Sequence, residues 1–155
     1  GIIGQASVHA LRFVEHVAGQ QIADIQAVET TLGNPVVGGG LRMATSLMMT
    51  LANGGVAAVI ANYLNPKGFG RWGNEHLRIF GTRGFVEATD GGTHTRLVVG
   101  DRDLGPIDAS APSREYFDMF VESLLGLGGM PFSMEEELHP TRMTIRAKRS
   151  VTRDP

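Results

Sequence analysis

The stretch His76–Asp101, HLRIFGTRGFVEATDGGTHTRLVVGD, decides the fold of this chain. Three short apolar segments rich in β-forming residues lie in it, and two glycine-containing clusters, Gly81–Gly84 and Asp90–Gly92, separate them. Because glycine adopts a positive φ without steric cost, each cluster can reverse the chain tightly. The stretch therefore predicts a meander of antiparallel strands.

The residues before this meander predict a helix, a strand and a loop. Apolar residues three or four apart favour a helix over Ala6–Ala18, with Ser7 as its N-cap and Gly19 as the left-handed residue that ends it. Side chains then alternate along Ile22–Leu32, which is typical of a β-strand. The turn formers at Asn34–Pro35, with three glycines after them, predict a loop.

Two apolar runs, Leu41–Ala52 and Val56–Asn65, flank Asn53-Gly54 and predict a hairpin. An Asn-Gly pair suits a tight turn in which both central residues have positive φ. Apart from Arg42 neither run is charged, whereas a sheet with one solvated face shows a polar residue at every second position. We therefore expect helices to cover one face of this sheet and a partner chain the other. Two-sided packing within a single chain is the alternative.

The C-terminal third predicts a short strand and two helices. The strand and a loop are expected at Leu104–Ala109, and an apolar stripe favours a helix over Ser113–Leu127. Ser133 and Glu136 form a capping-box pattern that opens a further helix. Because proline lacks an N–H group, we expect Pro140 to break and restart that helix. The predicted fold is α+β, with an open, predominantly antiparallel sheet that packs helices on one face and leaves the other for oligomerisation.

The composition excludes several classes of function. The 155 residues suit one domain, and the 42% of hydrophobic residues indicate a globular chain. A net charge of −2 gives no electrostatic case for binding nucleic acid or an anionic membrane. There is no cysteine, and the five histidines show no metal-ligand spacing. We expect a cytoplasmic protein without signal peptide, membrane span or metal site.

The hexamer Gly68–Gly73 matches the G-x-G-x-x-G pattern of dinucleotide-binding loops. That function requires a helix directly after the glycines, because the helix N-terminus holds the pyrophosphate. The residues after Gly73 lead into a strand instead. We therefore predict a glycine-rich loop anchored by Trp72, and no cofactor bound by this chain alone.

A polar pair in the opening helix is the candidate for chemistry. His9 lies four residues after Gln5, so both side chains share one helix face. A histidine can accept or release a proton near neutral pH. The other interpretation, favoured by the pattern alone, is a helix-face histidine that is hydrogen-bonded within the core.

Several motifs, in order along nearly the whole chain, resemble one protein family. They are His9–Leu11, Asn34–Pro35, Asn53–Gly55, Ile79–Glu87, Tyr116–Phe120 and Pro131–Glu135. In this order and spacing they resemble the C-terminal domain of the glucose–fructose oxidoreductase / inositol dehydrogenase family of NAD(P)-dependent oxidoreductases. The resemblance implies an N-terminal Rossmann domain, absent from this chain, that binds NAD or NADP. It also implies that this chain lines the substrate site and forms a homo-oligomer through its sheet.

The resemblance also suggests roles for residues of the opening helix. The family commonly has an Asp, then three residues, then a His, and often a second Asp three residues later. His9 matches the histidine and is the expected catalytic base or hydroxyl-orienting residue. Gln5 and Arg12 stand at the two Asp positions and are expected to bind substrate. Gln5 can orient a hydroxyl group but cannot ionise, and Arg12 would bind an anionic group unless it only forms a solvated helix face.

Two classes of function follow from the sequence. The first is the substrate-side and oligomerisation domain of an NAD(P)-dependent oxidoreductase that acts on a sugar, a polyol or a related hydroxy compound. Such a domain would be inactive alone, although the intact protein would be an enzyme. The second is a free-standing α+β module that binds a ligand or a protein without catalysis. Because Gln5 cannot ionise, a further hypothesis is that the chain comes from a family member that has become a binding or regulatory protein.

Overall fold

The computed structural model describes residues 1–71, 73–108 and 110–151, and its fold is α+β, as predicted. The chain divides into two compact units, the first formed by Gly1–Leu64 with Ser123–Pro155 and the second by Asn65–Glu122. In chain order the elements are α1 Val8–Ala18, β1 Ile22–Thr30, β2 Ala44–Leu51, β3 Val56–Asn62, β4 Leu77–Gly81, β5 Gly84–Thr89, β6 His94–Val99, β7 Arg102–Gly105, α2 Tyr116–Leu124 and α3 Met134–Ser150.

The first unit contains an antiparallel sheet in the order β1-β2-β3, and α3 packs against β1 and α1. One face of β2 is buried, with Leu47 fully inaccessible at the centre of the middle strand. Together the helices and this face enclose one hydrophobic core. Its buried members are Ile3, Leu11, Ile22, Ile25, Ala27, Leu47, Met49, Leu51, Met143 and Ala147. The prediction that helices pack on one face of this sheet is therefore confirmed.

The opposite, outward face of this sheet carries large exposed apolar side chains among uncharged polar ones. Val28, Ser46 and Ile60 lie side by side across the three strands, and Met48 lies in the neighbouring row. Val28 is 60% exposed, Met48 70% and Ile60 78%. The alternative prediction, that this chain alone covers both faces of the sheet, is therefore wrong for the described residues. We refer to Val28, Met48, Val56 and Ile60 as the outward apolar face.

The hairpin between β2 and β3 is confirmed, but the predicted turn is wrong. Gly54 has a left-handed φ of 83°, whereas Asn53 is not among the residues with positive φ. The Gly54 amide donates to the carbonyl oxygen of Leu51 at 2.9 Å, and the Leu51 amide donates to Gly55 at 2.8 Å. The side chain of Asn53 accepts a bond from the Gly55 amide at 3.0 Å. The loop is therefore one residue longer than the predicted two-residue turn, and Gly54 is its only left-handed residue.

The second unit contains the predicted meander as a four-stranded antiparallel sheet in the order β4-β5-β6-β7. The antiparallel strands therefore form two sheets rather than one. Glycine is required at Gly84, because a Cβ atom there would lie 1.9 Å from the carbonyl oxygen of Val98. Strand β7 lies slightly before the predicted Leu104–Ala109, of which Ala109 is outside the described residues.

Oppositely charged side chains alternate across one face of the second sheet. Glu87 on β5 is paired with Arg78 on β4, and Arg96 on β6 binds Asp103 on β7 with an Nε–Oδ2 distance of 3.0 Å. The hydrogen bond from Arg96, followed by that from the Gly105 amide, lowers the pKa of Asp103. These pairs are at least partly exposed, so we assign them to a solvated face rather than to a site.

The beginning of α1 differs from the prediction. Ser7 does not cap α1, because its own backbone angles are helical. It is the last residue of a π-helical segment, Ile3–Ser7, that leads directly into α1. Its hydroxyl donates to the carbonyl oxygen of Ile2 at 3.3 Å instead. Ile2 and Ile3 are both buried, which ties this extra turn to the core. The other end is confirmed, since Gly19 is left-handed with a φ of 60°.

Helix α3 begins at the predicted capping box but does not break at Pro140. The Ser133 hydroxyl accepts from the Glu136 amide, and the Glu136 carboxylate accepts from the Ser133 amide at 2.7 Å. The break at Pro140 is wrong, because α3 continues to Ser150 and buries the proline ring. Proline removes one backbone donor, so the carbonyl group of Glu136, four residues earlier, has no amide of residue 140 to accept from.

Helix α2 is confirmed but shorter than the predicted Ser113–Leu127. It starts only at Tyr116, and Gly126, left-handed with a φ of 70°, follows its last turn. Across the described residues, every helix is too short or too polar to pass through a lipid bilayer.

Candidate functional site

Four polar side chains form a stripe along one side of the opening helix. They recur at intervals of four, three and four residues, which places them on one helix face. They are Gln5, His9, Arg12 and His16, and we term them the polar stripe. Leu11 is buried on the core side of the same helix, while His9 and His16 are exposed. Gln5 is exposed as well, but it lies in the π-helical segment before α1, and that Gln5 and His9 point together to one ligand stays a prediction.

Gln5, at the N-terminal end of the polar stripe, is held by a tyrosine from the sheet. The hydroxyl group of Tyr63 donates to Gln5 Oε1 at 2.5 Å. The Tyr63 amide donates to the carbonyl oxygen of Met43 at 2.9 Å, which fixes this residue just beyond β3. Gln5 itself lies in the π-helical segment, a local geometry that occurs frequently at functional sites. The sequence analysis missed Tyr63, because nothing local links residues 58 positions apart.

Arg12 stacks on the aromatic ring of Phe132, which lies just before α3 in the sequence. Its guanidinium carbon lies 3.9 Å from the ring centre of Phe132, and His16 meets the same ring edge-on at 5.5 Å. Such cation–π contacts hold the planar guanidinium group in place. Arg12 Nη2 is buried and has no hydrogen-bond partner among the described residues. Phe132 is therefore a second site residue that sequence reasoning did not find.

A small pocket of about 210 Å³ opens beside Arg12, with Gln20 and Glu136 in its polar wall. The Ser133 amide, then the Ser133 hydroxyl and the positive charge of Arg12, lower the pKa of the Glu136 carboxyl. Glu136 is therefore ionised at neutral pH, but its carboxylate is engaged by the helix cap. The pocket is wide enough for a small polar group, and the Arg12 guanidinium and the Glu136 carboxylate both lie in its wall.

Two buried contacts of Glu15 fix α1 against the rest of the first unit. Glu15 Oε1 accepts a hydrogen bond from the Ile22 amide at 2.9 Å and lies 2.6 Å from His139 Nδ1 on α3. The side chain of Glu15 is only 5% exposed and that of His139 17%. Because a buried polar group that loses its hydrogen-bond partner is destabilising, these contacts hold the helix in place beneath the polar stripe. We assign them a structural role.

His9 lies in the middle of the polar stripe and is exposed. It makes no hydrogen bond or ion pair with another described residue, so the interpretation as a core histidine is wrong. Its role in proton transfer stays a prediction. Within the described ranges, no three His, Cys, Asp or Glu side chains lie close enough together to hold a metal ion.

The hexamer Gly68–Gly73 does not fit a dinucleotide. A single turn of 3₁₀ helix spans Lys67–Phe69, and the next element after Gly73 is strand β4, not a helix. Pyrophosphate binding of the Rossmann type needs the helix N-terminus that is missing here. Trp72, the predicted anchor of this loop, lies outside the described residues.

Comparisons with known proteins concern the fold. No protein-family model matches the sequence, and no curated protein matches it either. A Thermotoga maritima protein described as an oxidoreductase has a similar structure, with a TM-score of 0.83 and 24% identity over 96% of this chain and 44% of its own. The UDP-N-acetylglucosamine 3-dehydrogenase of Acidithiobacillus ferrooxidans matches with a TM-score of 0.75 and 16% identity, over 97% of this chain and 47% of its own.

The chain has the fold of one half of these oxidoreductases. A third match supports this, an oxidoreductase from Agrobacterium radiobacter in complex with NAD⁺, L-tartaric acid and magnesium, with 17% identity and a TM-score of 0.71 over 96% of this chain and 46% of its own. The chain thus spans less than half the length of each of these oxidoreductases. At the level of the fold, the resemblance to the C-terminal domain of the glucose–fructose oxidoreductase / inositol dehydrogenase family is confirmed.

Proposed function

We propose that this chain is the substrate-side and oligomerisation domain of an NAD(P)-dependent oxidoreductase that acts on a sugar, a polyol or a related hydroxy compound. The polar stripe carries the proposal, because it presents His9, Gln5 and Arg12 together on one firmly anchored helix. Support comes from structurally similar oxidoreductases, one of which was solved with NAD⁺ and a hydroxy acid. The lack of cysteine supports a cytoplasmic location.

The residues of this chain would orient the substrate and accept its proton. Oxidising a secondary alcohol requires a hydride acceptor and a proton acceptor, and NAD(P) held by a separate domain would supply the hydride chemistry. His9 is exposed and has no competing partner among the described residues, so it is available to accept the proton of the reacting hydroxyl group. Gln5 and Arg12 would hold the remaining substrate groups. The chain by itself would be inactive.

The full-length protein provides the test of this function. We expect it to produce NADH or NADPH from at least one member of a panel of sugars, polyols and their acids. Calorimetry on this chain alone should show no binding of NAD⁺ or NADP⁺. Micromolar cofactor binding by the chain would contradict our assignment of the cofactor to another domain. A full-length protein that binds such ligands but oxidises none of them would favour the non-catalytic binding module.

We further propose that a second copy of the chain covers the outward apolar face. This face is uncharged at its centre, and four large apolar side chains on it are exposed. Replacing Ile60 with aspartate places a charge in its middle, so we expect the assembled protein to dissociate to monomers by light scattering. Val37→Asp, at a fully exposed loop position, is the matched control and should leave the mass unchanged. A monomeric parent protein at high concentration would contradict the proposal.

A further inference from the structure

The tip of the hairpin between β2 and β3 joins an asparagine to a glycine, and both residues are exposed. The carboxamide carbon of an asparagine can be attacked by the backbone amide nitrogen of the residue that follows it. A glycine in that position leaves this nitrogen unshielded, because it has no β-carbon. Asn53 and Gly54 therefore provide the two groups through which an asparagine loses its side-chain amide without an enzyme.

The reaction of this pair needs only water as a co-reactant. The Gly54 nitrogen gives up its proton to solvent and forms a bond to Cγ of Asn53. The bond between Cγ and Nδ2 breaks, so ammonia leaves and a cyclic succinimide remains. Water then opens one of the two ring carbonyl groups, which restores the Gly54 amide and leaves an aspartate or an isoaspartate at position 53. Nothing is oxidised or reduced in either step.

The hydrogen bonds of the folded turn oppose this attack. The Gly54 amide donates to the carbonyl oxygen of Leu51 at 2.9 Å, so the attacking nitrogen is engaged. Oδ1 of Asn53 accepts from the Gly55 amide at 3.0 Å, which holds the side chain towards the far side of the turn. The Leu51 amide closes the hairpin by donating to Gly55 at 2.8 Å. The turn therefore has to open locally before the nitrogen can reach Cγ.

We propose that Asn53 is a site of slow spontaneous deamidation and that opening of the turn between β2 and β3 controls its rate. The chain carries no charged residue between Arg42 and Lys67, so the product places a negative charge on an uncharged hairpin. The same hairpin carries most of the outward apolar face. Isoaspartate also lengthens the backbone by a methylene carbon, which displaces the Gly54 amide from Leu51. The site belongs to the fold and does not depend on the proposed function.

Peptide mass spectrometry of the full-length protein tests the site. The protein is kept at mildly alkaline pH, either native or unfolded in guanidinium chloride, and is digested with trypsin at intervals. The peptide Met43–Lys67 contains Asn53, Asn62 and Asn65, and Asn65 is an internal control because Pro66 has no N–H group. We expect deamidation at Asn53, with isoaspartate detected by its specific methyltransferase. Equal conversion of all three asparagines, or aspartate without isoaspartate, would overturn the proposal.

The rates in the two states test the control by the turn. Opening releases the hydrogen bonds of the Gly54 amide and of the Asn53 side chain, so we expect deamidation to be about tenfold to a hundredfold slower in the native protein than in the unfolded chain. Hydrogen exchange of the Gly54 amide reports the same opening independently and should show protection of similar size. Equal rates in both states, or a freely exchanging Gly54 amide in a protein that deamidates slowly, would contradict this control.

Two variants separate the chemistry from the fold. Asn53→Gln keeps a carboxamide but moves it further from the attacking nitrogen, so deamidation at this position should become undetectable in both states. Gly54→Ala places a β-carbon beside that nitrogen and slows the reaction of the unfolded chain. In the native protein the added carbon meets open space, but a φ of 83° strains alanine and favours opening of the turn. The ratio of the unfolded to the native rate should therefore fall, and an unchanged ratio in a folded Gly54→Ala protein would exclude control by the turn.

Discussion

Replacing His9 with alanine in the intact protein is expected to lower kcat about a hundredfold to ten-thousandfold, which is the usual contribution of a positioned acid or base. His9 is the exposed imidazole at the centre of the polar stripe, between the groups proposed to hold the substrate. No described residue competes for its ring nitrogens. Steady-state formation of the reduced cofactor, at saturating substrate and over a range of pH, measures the effect.

The pH profile separates a chemical role of His9 from a structural one. If His9 accepts the proton, the wild-type rate should rise with pH as the imidazole loses its own proton, and this dependence should vanish in His9→Ala. His94→Ala, at an exposed position in the second unit, is the control and should retain the wild-type profile. A fully active His9→Ala protein would remove this residue from the mechanism.

Leu47→Ala is expected to lower the free energy of unfolding by about 2–5 kcal/mol. Leu47 lies at the centre of β2, is fully buried, and faces the helices of the first unit. Removing three carbon atoms there leaves a cavity, because strands β1 and β3 on both sides of β2 limit how far the sheet can collapse. Equilibrium denaturation measures the loss, with an unchanged denaturant slope as evidence that the fold is intact.

Met48→Ala is the matched control for this prediction, because it truncates the next residue of the same strand. Met48 points to the outward apolar face and is 70% exposed, so its loss should cost less than about 0.5 kcal/mol in a dilute, monomeric protein. The two variants therefore report on opposite faces of one strand. Equal losses in both, independent of protein concentration, would contradict the assignment of a buried and a free face.

Features that depend on neighbouring residues could be predicted from the sequence. The left-handed end of α1 at Gly19, the turns of the meander and the capping box of Ser133 each depend on residues a few positions apart. In these places the local preferences and the final packing agree, which is why pattern reasoning succeeds.

Features that depend on distant residues could not be predicted. Burial of the Pro140 ring outweighs the lost backbone bond, and the local rule for proline does not include that packing. Burial of Ile2 and Ile3 likewise extends the opening helix beyond Ser7. The candidate site shows the same limit. Its helix face could be predicted from spacing, but the contacts of Tyr63 and Phe132 join segments that only the folded chain brings together.

The proline inside α3 removes one backbone hydrogen bond from the N-terminal half of this helix. Other contacts hold that half: the capping box at Ser133, the buried ring of Pro140 and the contact of His139 with Glu15. Phe132 lies just before the cap and carries the Arg12 guanidinium on its ring. The position of this cation therefore depends on a helix to which Arg12 does not belong.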